Sequence, residues 1–181
     1  MNWFVERLVQ LVTPPRSQGV SPNWAEVERS MGFELPDDYK ELVTLYGPGK
    51  FDDFLAVFQP QHPVSRLNLS SAIADAAEVL REYQASGEVL PVPVEQLLAI
   101  AFTDNGDTVY WVREPRGLPD HWRIAVNGAR DFDDWHLFDG GLAHFLTSVL
   151  SREWTVPAFA DDFPYPDKAP VFKSYDRRAE S

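Results

Sequence analysis

The chain has 181 residues, 44% of them hydrophobic and 13% aromatic, which is enough to close one sizeable core in a single domain. With 28 acidic residues against 16 basic ones its formal net charge is −12, a surface that repels phosphate backbones, argues against nucleic-acid binding and suits a basic partner. It has no cysteine, which excludes disulfides and thiolate metal sites, and no apolar run approaches the ~18 residues of a membrane span.

Residues 3–12 read as an amphipathic helix with Phe4, Leu8, Leu11 and Val12 on one side. Its polar face carries Arg7 beside Glu6, whereas a membrane-surface helix is rich in Lys and Arg there, so packing on the domain is expected. The same stretch lacks the basic leader and small-residue cleavage site of a signal peptide, and a cytosolic location is the expectation. Pro14-Pro15 ends the helix, and residues 16–20 read as a linker.

The stretch WAEVERSMGFELPDDYKELVTLYGPGKF, Trp24 to Phe51, is the centre of the pattern. Trp24, Val27 and Met31 recur at helical spacing, Ser21 or Asn23 offers a cap, and Gly32 supplies a stop. Leu35-Pro36 opens a second helix with Pro36 in its first position and Asp37 and Asp38 in its first turn, where the macrodipole favours acids. Tyr39, Leu42, Val43 and Tyr46 form its apolar face, and Gly47-Pro48-Gly49 ends it.

One strand is then expected at 54–58, closed by Pro60, with 61–69 irregular. Ser70-Ser71 offers a cap for a helix from Ala72 to about Ala85, whose buried stripe is Ile73, Ala76, Ala77, Leu80 and Tyr83. Pro91 and Pro93 keep the next segment extended. Residues 97–112 are two apolar runs around Asn105-Gly106, the preferred chemistry for a tight hairpin because both central residues tolerate φ > 0. A third strand follows at 122–128, a short fourth piece at Trp135, Leu137 and Phe138, and then a helix from Gly140 to about Arg152 capped by Asp139. The tail from Thr155 interleaves Pro157, Pro164, Pro166 and Pro170 with aromatics, which suits an extended strap; beyond Tyr175 order is not expected. The chain thus divides into a helix and linker (1–22), an α+β domain (23–154) and the strap (155–181).

Catalytic and metal patterns are missing. The four histidines form no H-x-x-x-H pair. Asp104 to Asp107 resembles part of a calcium loop, but Val112 stands where the closing glutamate belongs, and a hairpin turn explains these residues better. No phosphate-cradling loop or G-x-S-x-G elbow is present. The clusters Asp52-Asp53 and Asp131, Asp133, Asp134 read as solvated surface or as a protein-binding patch, since a catalytic pair needs convergent groups of different character. A non-enzymatic protein without cofactor or metal is expected.

The Trp24–Phe51 stretch also resembles the opening motif of the SUKH superfamily, which includes immunity proteins of bacterial toxin systems and a fungal cell-wall synthesis regulator. TDNGDTVYWV (103–112) resembles its central hairpin, WRIAVNGARDFDDWHLFDGGLAHFLTSVLS (122–151) its closing unit, and DDFP (161–164) a tail seen in some members. The resemblance spans about Asn23 to Pro164 in the right order. It implies an α+β fold with helices around a mostly antiparallel sheet of four to five strands, no catalytic residues and no cofactor. It also implies a protein partner: a cognate toxin, often a nuclease, or for a regulatory scaffold some other protein; the acidity of the chain makes a basic toxin the expectation. With the acidity, the partner-binding candidates are Asp37, Asp38, Asp52, Asp53, Asp131, Asp133 and Asp134, with Trp135 as the aromatic anchor. Neither nucleic acid nor a membrane is expected as a partner.

Overall fold

In the computed structural model, which describes residues 1–16 and 20–175, apolar periodicity becomes five helices and a seven-stranded sheet. Helix α1 (Trp3–Leu11) is capped by Asn2, whose Oδ1 accepts from the Phe4 amide. It buries Val5 and Leu8 against α5 (Leu142–Leu150). Helix α2 (Trp24–Met31) takes Asn23 as its cap and ends at Gly32 with φ 80°. In α3 (Asp37–Tyr46) the expected face of Tyr39, Leu42, Val43 and Tyr46 is buried, with Pro36 one position earlier than expected, at the cap itself. Helix α4 (Leu69–Ala85) starts earlier than Ser70-Ser71 suggested, because Asn68 Oδ1 accepts from the Ser71 amide.

The sheet runs β6-β5-β4-β3-β2-β1-β7, and every neighbouring pair is antiparallel. Its strands are β1 (Gly49–Phe51), β2 (Leu55–Val57), β3 (Leu97–Thr103), β4 (Thr108–Val112), β5 (Arg123–Asn127), β6 (Trp135–Phe138) and β7 (Phe172–Ser174). The α+β architecture matches the sequence reading, but the four to five strands expected become seven. Strands β1 and β7 have three residues each, too short to show alternation.

Successive residues on a strand face opposite ways. Trp111 meets Tyr39 of α3 edge-on at 5.1 Å, whereas Tyr110 stacks on Trp135 at 5.5 Å, on the face where α4 lies against β3. Helices α1, α3 and α5 pack on one another over the Trp111 face. Tyr39, Leu42, Trp111 and Phe145 form one buried centre, whereas Trp24 is only partly buried and reaches it edge-on to Tyr39 at 6.0 Å. Tyr83 likewise leaves its predicted stripe, and its exposed ring stacks on Phe132 at 4.4 Å.

The segment from Thr155 lies across the body. It buries Val156, Phe159 and Phe163, the last two against Phe54, and then adds β7 beside β1. The tail beyond Tyr175 lies outside the described residues.

Candidate protein-interaction surface

Antiparallel neighbours joined by hairpins put every second turn at the same end of a sheet. The β1–β2, β3–β4 and β5–β6 turns therefore share one end, as the pairs Leu55↔Thr103 and Thr108↔Asn127↔Trp135 require. Each of these turns is acidic. They carry Asp52-Asp53, Asp104 to Asp107, and Asp131, Asp133 and Asp134.

The acids do different things. Asp52 and Asp53 take φ of 47° and 53° in a tight turn closed by the Phe54 amide on the Phe51 carbonyl, the backbone expected instead at Asn105-Gly106. Asp52 is 3% exposed. Its two carboxylate oxygens accept from the Tyr165 amide at 3.1 Å and the Val171 amide at 2.8 Å, so it clasps the strap and offers no surface to a partner. Asp53 is exposed, beside Lys173 at 3.5 Å and the Tyr165 hydroxyl at 3.4 Å. That hydroxyl is raised above its ordinary pKa by desolvation and then by Asp53 and Asp52, with a smaller contribution from Asp162.

At the β3–β4 turn only Gly106 has positive φ, 89°, among residues 104–107. The Gly106 amide bonds to the Thr103 carbonyl and the Thr103 amide to the Asp107 carbonyl, giving a three-residue loop in place of the expected two-residue one. Asp107 is buried and already satisfied, accepting from the Thr103 hydroxyl at 2.5 Å and the Ala129 amide at 2.9 Å. Asp104 is exposed and pairs with Lys50 at 2.5 Å.

The β5–β6 loop brings Asp131, Asp133, Asp134 and Trp135 together. Asp131 Oδ1 accepts from the Asp133 amide, and the Asp134 carbonyl accepts from the Gly128 amide and the Asn127 side chain. Asp134 Oδ1 lies 2.5 Å from His136 Nε2. Asp131 and Asp133 remain exposed. Trp135 is half-buried, held between Tyr110 and Phe132, with its indole nitrogen buried and unpartnered.

Asp37 and Asp38 stand apart from this rim. They sit by the turn Pro119–His121 between β4 and β5, at the opposite end of the sheet. Asp37 is exposed: its amide donates to Asp120 Oδ1 at 2.7 Å, and its carboxylate lies 3.3 Å from Lys40. Asp38 is only 7% exposed. Its Oδ2 accepts from the Ala143 amide at 2.8 Å and caps α5, the part expected of Asp139, while its Oδ1 has no partner. Burial raises its pKa to about 6, with Asp120 and Glu41 adding to the rise against the Ala143 and Tyr39 amides.

Of the eight candidates, then, Asp131, Asp133 and Asp134 lie beside Trp135, Asp53 lies at the same end of the sheet but several strands away, Asp37 lies at the far end, and Asp38 and Asp52 are internal. Asp104, in the β3–β4 turn, lies at the same end although it was not among the partner-binding candidates. Among the described residues no three His, Asp or Glu side chains are grouped to hold a metal ion, and no helix is long and apolar enough to cross a membrane. The exposed acids at this end can attract and orient cationic groups.

Residues 22–146 match a family model, SUKH_6, described as SMI1-KNR4 cell-wall. No curated protein and no solved structure matches the chain. The matched stretch runs from just before α2 into α5 and contains the β5–β6 loop, while α1 and the strap lie outside it.

Proposed function

The chain belongs to the SUKH superfamily, in its SMI1-KNR4 family, and on that premise we propose that it is an immunity protein that binds and neutralises a basic toxin domain. Family membership supports a protein-binding immunity or regulatory module without catalytic chemistry. The observation that carries the finer reading is the convergence of three acidic hairpin turns at one end of the sheet, on a chain of net charge −12. Such a field speeds encounter with a cationic partner by ~10–10³ and repels nucleic acid. Trp135, beside the acids and half-buried, supplies the aromatic contact that governs dissociation.

The measurement is association rate against ionic strength, using a protein co-purified from native lysate. Changing Asp131, Asp133 and Asp134 together to Asn slows association about tenfold at low salt, flattens the salt slope and leaves the melt unchanged. Identical slopes for parent and variant would reduce these acids to solvated surface. The family's description, SMI1-KNR4 cell-wall, favours a second reading: a regulatory scaffold that uses the same rim without a toxin. A captured partner that is not toxic to cells lacking this chain would decide for it.

A further inference from the structure

The two edges of the sheet are built differently. Strand β7 has three residues, and its Lys173 is exposed beside Asp53, a charge of the kind that guards an edge against unwanted pairing. Strand β6, Trp-His-Leu-Phe, has no Lys, Arg, Asp or Glu, and its one titratable ring, His136, is engaged by Asp134. The Gly128 amide bonds to the Asp134 carbonyl, which fixes the phase of the ladder. Pairs Val126↔His136 and Ile124↔Phe138 are then the hydrogen-bonded ones, and the backbone groups of Trp135 and Leu137 point away from β5. The Trp135 amide is tied to the Asp133 carbonyl. That leaves the Trp135 carbonyl and both backbone groups of Leu137 along the open edge, with the Leu137 side chain 49% exposed beside them.

Acids bracket this edge, Asp131, Asp133 and Asp134 before it and Asp139 after it. We propose that the β6 edge takes an extended segment of the partner as an eighth strand, one that alternates apolar side chains with Lys or Arg. Backbone bonds to Leu137 and Trp135 supply affinity, the Leu137 side chain packs with the apolar residues, and the bracketing acids meet the cations. A second copy of this chain fits poorly, because antiparallel pairing of two β6 edges sets the Asp131–Asp134 loop of one against Asp139 of the other, and like charges facing across strands repel. The proposal rests on the reading above that the rim meets a basic protein, and it adds the mode of engagement.

The probe is a synthetic nine-residue peptide of alternating lysine and valine, with a glutamate–valine peptide and a lysine–valine peptide carrying a central proline as controls. With the lysine–valine peptide at saturation, Leu137 amide exchange slows about tenfold, as for an amide newly placed in a ladder. Both controls leave it unchanged. Leu137→Lys keeps the strand, places a like charge at the edge and weakens peptide binding about tenfold. Leu137→Pro, tolerated where an amide points outward, removes the edge donor and weakens peptide binding at least tenfold with the melt preserved. Failure of the peptide to bind, or shifts confined to Asp131–Asp134 with Leu137 exchange unchanged, overturns strand addition. Either result leaves the salt-dependent association of the co-purified protein untouched. Sedimentation showing concentration-dependent dimers that Leu137→Lys dissolves overturns it in favour of a second copy.

Discussion

Asp38 is a carboxylate placed where a carboxylate is costly. Desolvation lifts its pKa from 3.8 to about 6, so between those values the folded state holds a proton that the unfolded chain has released. Stability is therefore greatest, as far as this group is concerned, below about pH 4. It falls as pH rises towards 6, by up to about 3 kcal/mol. Asp38→Asn keeps an oxygen for the Ala143 amide and removes the charge. The variant is expected to be more stable than the parent by about 1–2 kcal/mol at pH 7 and equal to it near pH 4, as thermal melts across pH will show. None of this was legible in the sequence. An acid in the first turn of a helix looks like a macrodipole partner of its own helix, and Asp37 fits that pattern. Asp38, one position on, turns inward because the next helix to need a cap is α5, whose own cap position is Gly141 without a side-chain oxygen. Asp52 is the same lesson on a turn: paired acids read as a wet loop, yet one of them holds the strap. Asp53, Asp131 and Asp133 are exposed, although Asp131 still accepts from the Asp133 amide two residues on.

At the scale of elements, helices read well and short strands did not. An apolar face repeated over two or three turns, as in α3, can be recognised without knowing what covers it. Three residues of β1 or β7 carry no period, and they are strands only because partners elsewhere in the chain complete them. The tight turn was expected at Asn105-Gly106 and lies instead at Asp52-Asp53, since Asp tolerates left-handed φ better than most residues and here the Asp52 carboxylate is held by two strap amides. Gly49 marks where β7 docks. A Cβ there meets the Lys173 carbonyl and comes within 2.5 Å of the Phe172 ring, which packs on Tyr46 and Phe51. Gly49→Ala is expected to lift β7 and cost about 1–3 kcal/mol. Chemical denaturation should give that loss, and the Phe172 resonances should shift in the folded state.

Over the whole molecule, charge is sorted by connectivity. Alternate hairpin turns collect acids at one end of the sheet. The acidic composition was visible at once, but which acids act together depends on strand count and hence on β1, which the sequence concealed. The strap also bears on how the chain assembles. Strands β2 to β6 pair with neighbours in sequence order, which lowers contact order and lets that part form early. Closing β1 with β7 joins Gly49 to Ser174, far apart in the chain, and must wait for a long loop to close. The last piece to arrive is expected to be the first to leave. Native-state hydrogen exchange should show β7 amides opening well below the free energy of global unfolding, while Tyr110 and Ala125 open only with it. In that partly opened state β1 becomes a bare edge, so a short-lived fraction of molecules would be prone to strand exchange with one another, at a rate set by how often the strap lets go.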